Sequence, residues 1–203
     1  EAKDFCTSRG IRQVIVERDQ FAAPGFADNP KDRCYWCKTY LFSSLGELAK
    51  EHQIAYIIDG TNFSDTKGYR PGLKALAELG VVSPLKEAAL TKEEIRILSE
   101  KEGLHTWNKP SFACLATRFP YGTRITEAKL RAVEAAEQLL FDLGFLKFRV
   151  RCHGDIARIE VLPVQLPKLV ENREAVIARF HALGFRFVTM DLEGFRSGSM
   201  DGK

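Results

Sequence analysis

The chain has 203 residues, of which 45% are hydrophobic, and this is enough apolar material to bury the core of one or two compact domains. No apolar run approaches the roughly 18 residues that a membrane-spanning helix needs, and residues 1–10 lack the apolar centre of a signal peptide, so we expect a cytoplasmic protein with no membrane partner. The formal net charge of +3 is mild for this length, which argues against a nucleic-acid partner and suits a small anionic ligand such as a nucleotide.

The first half of the sequence alternates short apolar segments with helical patterns. Residues 54–58 are almost wholly apolar, as in a strand buried on both faces of a parallel sheet. Thr91 and Glu94 have the spacing of a capping box, which predicts the start of a helix. In chain order, the patterns predict a helix at the opening of the chain, a strand at 11–16, a loop at 21–30, a helix at about 32–51, a strand at 54–58, a short helix at 73–79, a strand at 81–85 and a helix at 91–102.

The apolar periodicity fails between Lys109 and Gly122, and a second series of elements follows. A strongly amphipathic helix is predicted over residues 126–143, where Gly144 ends it. The remaining patterns predict strands at 145–151 and 156–161, a helix at 166–183 and a last strand at 185–190.

Alternating strands and helices favour an α/β fold, which we predict to be a truncated doubly wound, Rossmann-like sheet layer followed by a smaller α/β domain. The predicted boundaries place the first domain at 1–108, an active-site linker at 109–125, and a small substrate or oligomerisation domain at 126–203. Because the chain opens inside a predicted helix, with neither a cap nor a starting methionine, we expect a fragment of a longer protein.

Three of the five cysteines are candidates for chemistry. Cys34 and Cys37 form a Cys-x-x-Cys at the predicted start of a helix, between Arg33 and Lys38, whose positive charges we expect to lower the thiol pKa values. Cys114 lies among turn residues in the segment where the periodicity fails.

Thiolates at these three positions favour an iron–sulfur cluster or zinc, and three ligands would leave one iron of a cluster open. The alternative for Cys34 and Cys37 is a redox pair, or two thiols without a chemical role. We interpret Cys6 and Cys152 as structural, since free cysteine packs as a small hydrophobe.

Several long motifs make the chain resemble the LarE family, which are ATP-dependent sulfur transferases of the PP-loop (N-type ATP pyrophosphatase) superfamily. The resemblance covers nearly the whole chain, from Asn29-Pro30 to Phe195-Arg196-Ser197-Gly198. The motifs that support it most are Cys34, Tyr69-Arg70-Pro71-Gly72, the segment from Trp107 to Gly122, and His153-Gly154-Asp155-Ile156-Ala157-Arg158-Ile159-Glu160.

The resemblance implies an activity on a pyridinium dicarboxylate mononucleotide in the synthesis of the nickel-pincer cofactor. Such an enzyme adenylylates a carboxylate with ATP and Mg²⁺ and delivers sulfur to the activated carbon, giving a thiocarboxylate. In three-cysteine members, which this chain resembles, a four-iron cluster on Cys34, Cys37 and Cys114 would provide the sulfide. In single-cysteine members the enzyme's own cysteine is the donor, and its position corresponds to Ala113 here. Cys114 as a direct donor therefore stays open as an alternative.

Several charged residues are further candidates for the site. Arg118, Arg149 and Arg151 are candidates to hold phosphate or carboxylate, because the guanidinium fork pairs with both groups. Arg149 and Arg151 alternate with Val150 on one predicted strand and should share a face, with Glu160 across from them on the next. A solvated polar face is the alternative for these arginines. Glu137 resembles an active-site acid of the family.

Asp59 ends a predicted strand, where doubly wound folds bind their ligands, and we assign it with Asp65 and Arg70 to part of an ATP site. A loop-capping role is the alternative for Asp59. The family's Ser-Gly-Gly-x-Asp-Ser phosphate loop is absent from residues 1–203, so this chain by itself is expected to activate ATP poorly.

Two other functions compete with sulfur insertion. A tRNA-thiolating enzyme of the same superfamily would also use a nucleotide and a cysteine-bound cluster, but the mild net charge argues against it. A non-catalytic fragment without the ATP loop is the third possibility. The family resemblance suggests a homo-oligomer.

Overall fold

The computed structural model of the chain describes residues 2–109, 113–196 and 198–200. Predictions that fall on Pro110, Ser111 and Phe112 of the cysteine segment, and on Ser197, lie outside the described residues. The described residues form an α/β structure with a mixed three-stranded sheet.

The first half of the chain is helical. Its helices are α1 (Ala2–Ser8), α2 (Arg33–Glu51), α3 (Pro71–Glu78), α4 (Pro84–Glu87) and α5 (Lys92–Lys101), with short 3₁₀ turns at Gln20–Ala22 and Phe63–Thr66. The predicted capping box of α5 is present, since the Thr91 hydroxyl accepts from the Glu94 N–H and the Glu94 carboxylate accepts from the Thr91 N–H. Pro71 and Gly72 begin α3, and the small Gly72 lets this helix approach the carbonyl oxygen of Cys34 on α2.

The three strands predicted for the first half are wrong for the described residues. Residues 11–16 form no strand, and the other two segments contribute a single parallel bridge between Ile58 and Val82. Tyr56 is 74% exposed and Ile58 is 65% exposed, whereas a central parallel strand has both faces covered. The physical reason is that such a strand needs a neighbouring strand on each side and helices above and below, and the described part of the chain provides too few of them.

The second half forms the sheet and its covering helices. A 3₁₀ turn (Leu115–Arg118) precedes the long helix α6 (Glu127–Asp142), and the strands are β1 (Phe148–His153), β2 (Ile156–Val161) and β3 (Phe187–Met190). β1 pairs antiparallel with β2, and β2 pairs parallel with β3. A short 3₁₀ turn at Pro163–Gln165 and the helices α7 (Leu166–Glu171) and α8 (Arg173–Ala182) connect β2 to β3.

One helix was predicted where the structure has α7 and α8. The break falls at Asn172, whose side-chain amide donates to the carbonyl oxygen of Lys168 at 2.8 Å. The same carbonyl oxygen also accepts from the backbone N–H of Asn172 at 3.2 Å, and the interruption consists of the φ of −92° and ψ of 12° at Asn172, which depart from helical values.

The main core lies between α6, α8 and one face of the sheet. Val133, Ala136 and Leu140 recur along α6 at helical spacing and are fully buried. They pack in one cluster with inward residues of the strands and of α8, namely Val150, Ile159, Val161, Val176 and Phe180. No helix in the described ranges is both long and apolar enough to cross a membrane.

Gly194 is required where the chain turns back after β3. It has φ +71°, and a Cβ at this position would lie 2.7 Å from the carbonyl oxygen of Val161. The same carbonyl accepts from the N–H of Phe195 at 2.7 Å, so the contact fixes the next residue as well.

We predict that Gly194→Ala destabilises the fold more than Gly154→Ala. Both glycines have left-handed φ values, so both substitutions cost roughly 1–2 kcal/mol for backbone conformation. Gly194→Ala also creates the clash with Val161, which lowers the free energy of unfolding by about 1–3 kcal/mol more. Gly154→Ala creates no such clash, because Gly154 has open space around it. Urea unfolding of both variants measures the difference, and equal losses would contradict the assignment.

Candidate functional site: thiols and buried arginines

Cys34 and Cys37 lie near the start of α2, as the sequence predicts. The Cys34 side chain is exposed, while Cys37 is half-buried against the main core. Burial raises the pKa of the Cys37 thiol, and the negative charges of Cys114 and Cys34 raise it further, against the opposing charges of Arg33 and Lys38. Arg33 and Lys38 thus lower the pKa of Cys37 as the sequence predicts, but burial and the two other thiols outweigh them, so that the pKa is raised.

The charge of Cys114 therefore acts on Cys37, although 77 residues separate the two cysteines in the chain. Cys114 is exposed, like Cys34. No three His, Cys, Asp or Glu side chains in the described residues are grouped to hold a single metal ion. In a four-iron cluster each cysteine binds a different iron, which spaces the ligands more widely, so metal binding by these thiols stays a prediction.

The backbone around Cys114 is held by its own turn. The Cys114 carbonyl oxygen accepts from the Thr117 N–H at 3.0 Å, from the Thr117 hydroxyl at 2.7 Å and from Arg118 Nη1 at 3.4 Å. We call residues 114–118 the Cys114 turn. Its first residue presents the thiol and its last residue is a fully buried arginine.

Arg118 pairs in bidentate fashion with Glu137 of α6. Arg118 Nε donates to Glu137 Oε1 at 2.6 Å and Nη2 donates to Oε2 at 2.9 Å. Glu137 Oε1 also accepts the N–H of Val150 on β1 at 2.9 Å. The Glu137 carboxylate thus joins the Cys114 turn, α6 and β1, and the catalytic role suggested for Glu137 stays a prediction.

A second buried ion pair lies on the adjacent strands. Arg151 Nη2 donates to Glu160 Oε2 at 2.8 Å, and Arg151 Nη1 donates to the carbonyl oxygen of Thr117 at 3.1 Å. Glu160 is fully buried and also accepts from Arg158 at 3.1 Å and from the Ser199 hydroxyl at 2.7 Å. The sequence placed Glu160 on the strand across from the arginines, and in the β1–β2 register it lies opposite Arg149.

Arg149 differs from Arg118 and Arg151, because no ion pair joins Arg149 to a carboxylate among the described residues. It donates to the carbonyl oxygen of Phe148 at 2.7 Å, and its guanidinium lies 5.1 Å from the ring centre of Phe195. Burial lowers the pKa of Arg149 and the positive charges of Arg118 and Arg151 lower it further, against the opposing negative charges of Glu137 and Glu160. A half-buried cation among other cations is a suitable binding group for an anion.

The three residues assigned to an ATP site lie around the loops that follow residue 58. The Asp59 carboxylate accepts from the Ser83 hydroxyl at 2.6 Å and from the Thr61 hydroxyl. Burial alone would raise the pKa of Asp59, but these hydrogen bonds and the charge of Lys38 outweigh it and lower that pKa. Lys38 Nζ lies 3.9 Å from Asp59 Oδ2, which brings Asp59 next to the cysteine-bearing helix.

Asp65 and Arg70 pair with each other at 3.3 Å, and Asp65 also closes a capping box with Asn62. The hydrogen bonds of Asp59 and Asp65 are those of loop-capping residues. Their role in nucleotide binding, and that of Arg70, stays a prediction.

Asn29 and Arg33 are two further buried polar residues of the site. The sequence analysis did not identify Asn29 as part of the site, and it did not predict the long-range contacts of Arg33. Asn29 has φ +53° and no exposed surface. Asparagine is among the few non-glycine residues that adopt left-handed φ readily, so the Asn29-Pro30 pair was a signal for a special turn. Its long-range partners had no local signal.

Exposed thiols beside buried arginines are the groups expected of a site that binds an anion near candidate nucleophiles. No family model matches the chain. It is 41% identical to the uncharacterized protein slr1717 of Synechocystis, over 95% of this chain and 72% of that protein. It is also 41% identical to the pyridinium-3,5-bisthiocarboxylic acid mononucleotide synthase of Lactiplantibacillus plantarum, over 86% of this chain and 63% of the synthase.

A third relative, the uncharacterized protein MJ0830 of Methanocaldococcus jannaschii, is 31% identical over 83% of this chain and 66% of its own length. The chain thus spans about two thirds of the length of the curated relatives it matches. It belongs to the LarE family.

We predict that Glu137→Gln lowers the free energy of unfolding by roughly 3 kcal/mol, because Arg118 then stays buried without its counter-charge. The matched control is Glu134→Gln on the exposed side of the same helix, with an effect within about 0.5 kcal/mol. Urea unfolding at neutral pH measures both. Similar losses in the two variants would show that the buried pair does not stabilise the site.

Proposed function

We propose that the chain is a sulfur transferase that converts carboxylates of a pyridinium dicarboxylate mononucleotide to thiocarboxylates for the nickel-pincer cofactor. The observation that supports this most is the Cys114 turn, which exposes a thiol at its first residue and buries Arg118 at its last. A candidate sulfur source and a buried positive charge thereby lie on one short segment. The printed activity of the Lactiplantibacillus synthase supports the same substrate class.

The arginine cluster is the proposed site for the anionic substrate. Arg118 and Arg151 already have carboxylate partners, whereas Arg149 has none among the described residues. We therefore assign Arg149 to a phosphate or carboxylate of the substrate, with Arg118 and Arg151 adding positive charge behind it. The paired Glu137 and Glu160 hold the arginines in place and reduce the net charge of the site.

The proposed chemistry has two steps. A substrate carboxylate oxygen attacks the α-phosphorus of Mg²⁺-bound ATP, which forms an acyl adenylate and releases pyrophosphate. Sulfide sulfur then attacks the acyl carbon, and AMP leaves with the carbon–oxygen electron pair, which gives the thiocarboxylate. Asp59, Asp65 and Arg70 are the proposed nucleotide-side residues, and the short distance from Lys38 of α2 to Asp59 brings this side next to the cysteine-bearing helix.

Cys34, Cys37 and Cys114 are the proposed ligands of a four-iron cluster, which when bound would provide transferable sulfide at its open iron. The chain's contribution is a set of three thiols within electrostatic range, two of them exposed. Cys114 as a direct sulfur donor is the alternative, and its exposure is compatible with that chemistry. By family resemblance we also propose a cytoplasmic homo-oligomer.

Anaerobic reconstitution with iron and sulfide tests the cluster. We expect a brown protein with about four irons per chain and sulfide-to-iron charge-transfer absorption. Cys34→Ala, Cys37→Ala and Cys114→Ala should each lose most of this iron, because the cluster then has two ligands.

Cys6→Ala is the matched control, since Cys6 lies on α1 and is not among the proposed ligands. A colourless product, or iron retained equally in all four variants, would remove the cluster and leave Cys114 as the direct donor.

Arg149→Met tests the substrate assignment. We expect the dissociation constant for the pyridinium dicarboxylate mononucleotide to rise at least about tenfold, since a hydrogen bond to a charged group contributes roughly 1.5–3 kcal/mol. Isothermal titration calorimetry measures it. Arg186→Met is the matched control, because Arg186 also lies over a phenylalanine ring, at 5.2 Å from that of Phe187, but on the exposed surface. Equal affinities of both variants would contradict the assignment.

A further inference from the structure

Two buried polar residues lie outside the arginine–glutamate cluster and take no part in the proposed reaction. Arg33 is the first residue of α2, directly before Cys34, and is 3% exposed. Asn29 lies 4 residues before Arg33, outside the helix, and has no exposed surface. A buried arginine charge is costly unless nearby polar groups compensate it, so the partners of Arg33 determine where the start of α2 can lie.

The partners of both side chains lie in the segment that contains Cys114. Arg33 Nη1 donates to the side-chain oxygen of Asn29 and, at 3.3 Å, to the carbonyl oxygen of Ala116. The Asn29 amide donates to the carbonyl oxygens of Pro120 at 2.8 Å and of Phe119 at 3.3 Å. The two side chains thus form one hydrogen-bonded unit across 83 to 91 residues of sequence.

Further contacts fix the same two segments. The Asn29 carbonyl oxygen accepts from the N–H of Gly122 at 2.8 Å, and the guanidinium of Arg33 lies 5.9 Å from the ring centre of Tyr121. Within the described residues no ion pair joins Arg33 to a carboxylate. Its buried charge is therefore compensated by carbonyl and amide dipoles and by an aromatic face.

This dependence gives the pair a positional role. The donors of Arg33 and Asn29 are satisfied only when the carbonyl groups of residues 116, 119 and 120 lie against the start of α2, and a buried donor left unpaired is costly. Any shift of the Cys114 turn away from α2 breaks these hydrogen bonds together.

We propose that Asn29 and Arg33 are positioning residues that hold Cys114 beside Cys34 and Cys37. The inference deepens the proposed function, since it concerns the same three thiols. It does not depend on a cluster or on sulfur transfer, because it is a statement about the distance between thiols in the protein alone.

A thiol cross-linker tests the proposal on the metal-free chain. Dibromobimane becomes fluorescent when both of its arms have alkylated thiols, and peptide mass mapping identifies the pair that reacted. In the native sequence we expect links from Cys114 to Cys34 or Cys37, beside the link between Cys34 and Cys37 within α2.

In Asn29→Gly, which tolerates the positive φ but lacks the amide, and in Arg33→Met, the rate of linking Cys114 should fall about tenfold, the factor expected for losing one hydrogen bond to a charged group. The link between Cys34 and Cys37 should keep its rate, because both thiols stay on the same helix. The double variant should lose no more than either single variant, since the two side chains act as one unit.

Arg124→Met is the matched control. Arg124 joins the same two segments through Asp28 at 3.2 Å, but both side chains are exposed, so the rate of linking Cys114 should stay within about twofold of the native rate. Near-ultraviolet circular dichroism checks the folding of each variant, and Asn29→Gly carries the test if Arg33→Met does not fold.

Unchanged linking of Cys114 in folded Asn29→Gly and Arg33 variants would overturn the proposal, as would the absence of any Cys114 link in the native sequence. A protein that links normally but binds no iron would overturn the cluster and leave the positioning role intact.

Discussion

The geometry of the site depends on three buried guanidinium groups that bind the backbone of one short turn. Arg118, Arg33 and Arg151 donate to the carbonyl oxygens of residues 114, 116 and 117 in turn. Each comes from a different element: the turn itself, the start of α2, and β1. Because a buried arginine is stable only with its donors satisfied, these contacts fix one position of the turn relative to the helix and the sheet. The same contacts therefore fix the position of the exposed Cys114 thiol relative to α2 and the sheet.

The regular structure of the second half provides the frame for these contacts. Glu137 reaches both Arg118 and the β1 backbone because α6 packs its apolar face on the sheet at this level. The antiparallel register then places Arg149 opposite Glu160, so that the Arg151–Glu160 ion pair lies beside a cation that has no carboxylate partner among the described residues. Burial makes each pair costly to break and does not by itself make it stabilising. Its main effect here is to fix geometry.

Sequence reasoning worked where the signal is local. The Thr91 cap, the apolar face of α6 and the alternation of Arg149 with Arg151 all appear within a few residues, and the corresponding elements form. It failed for residues 54–58, because whether an apolar run becomes a strand depends on neighbours elsewhere. It also missed the pairing of Arg118 with Glu137 and of Arg33 with Ala116, since hydrogen bonds between distant segments leave no periodic pattern.

The residues after β3 form one wall of the arginine site. The Gly194 turn sets Phe195 over Arg149, the Ser199 hydroxyl bonds to both Arg151 and Glu160, and Met200 sulfur accepts from Arg158. Recombinant design has to respect this arrangement. A bulky label attached at any of these residues would disturb the contacts of Arg149, Arg151 and Arg158, so a label for binding measurements belongs on a surface far from the arginine site.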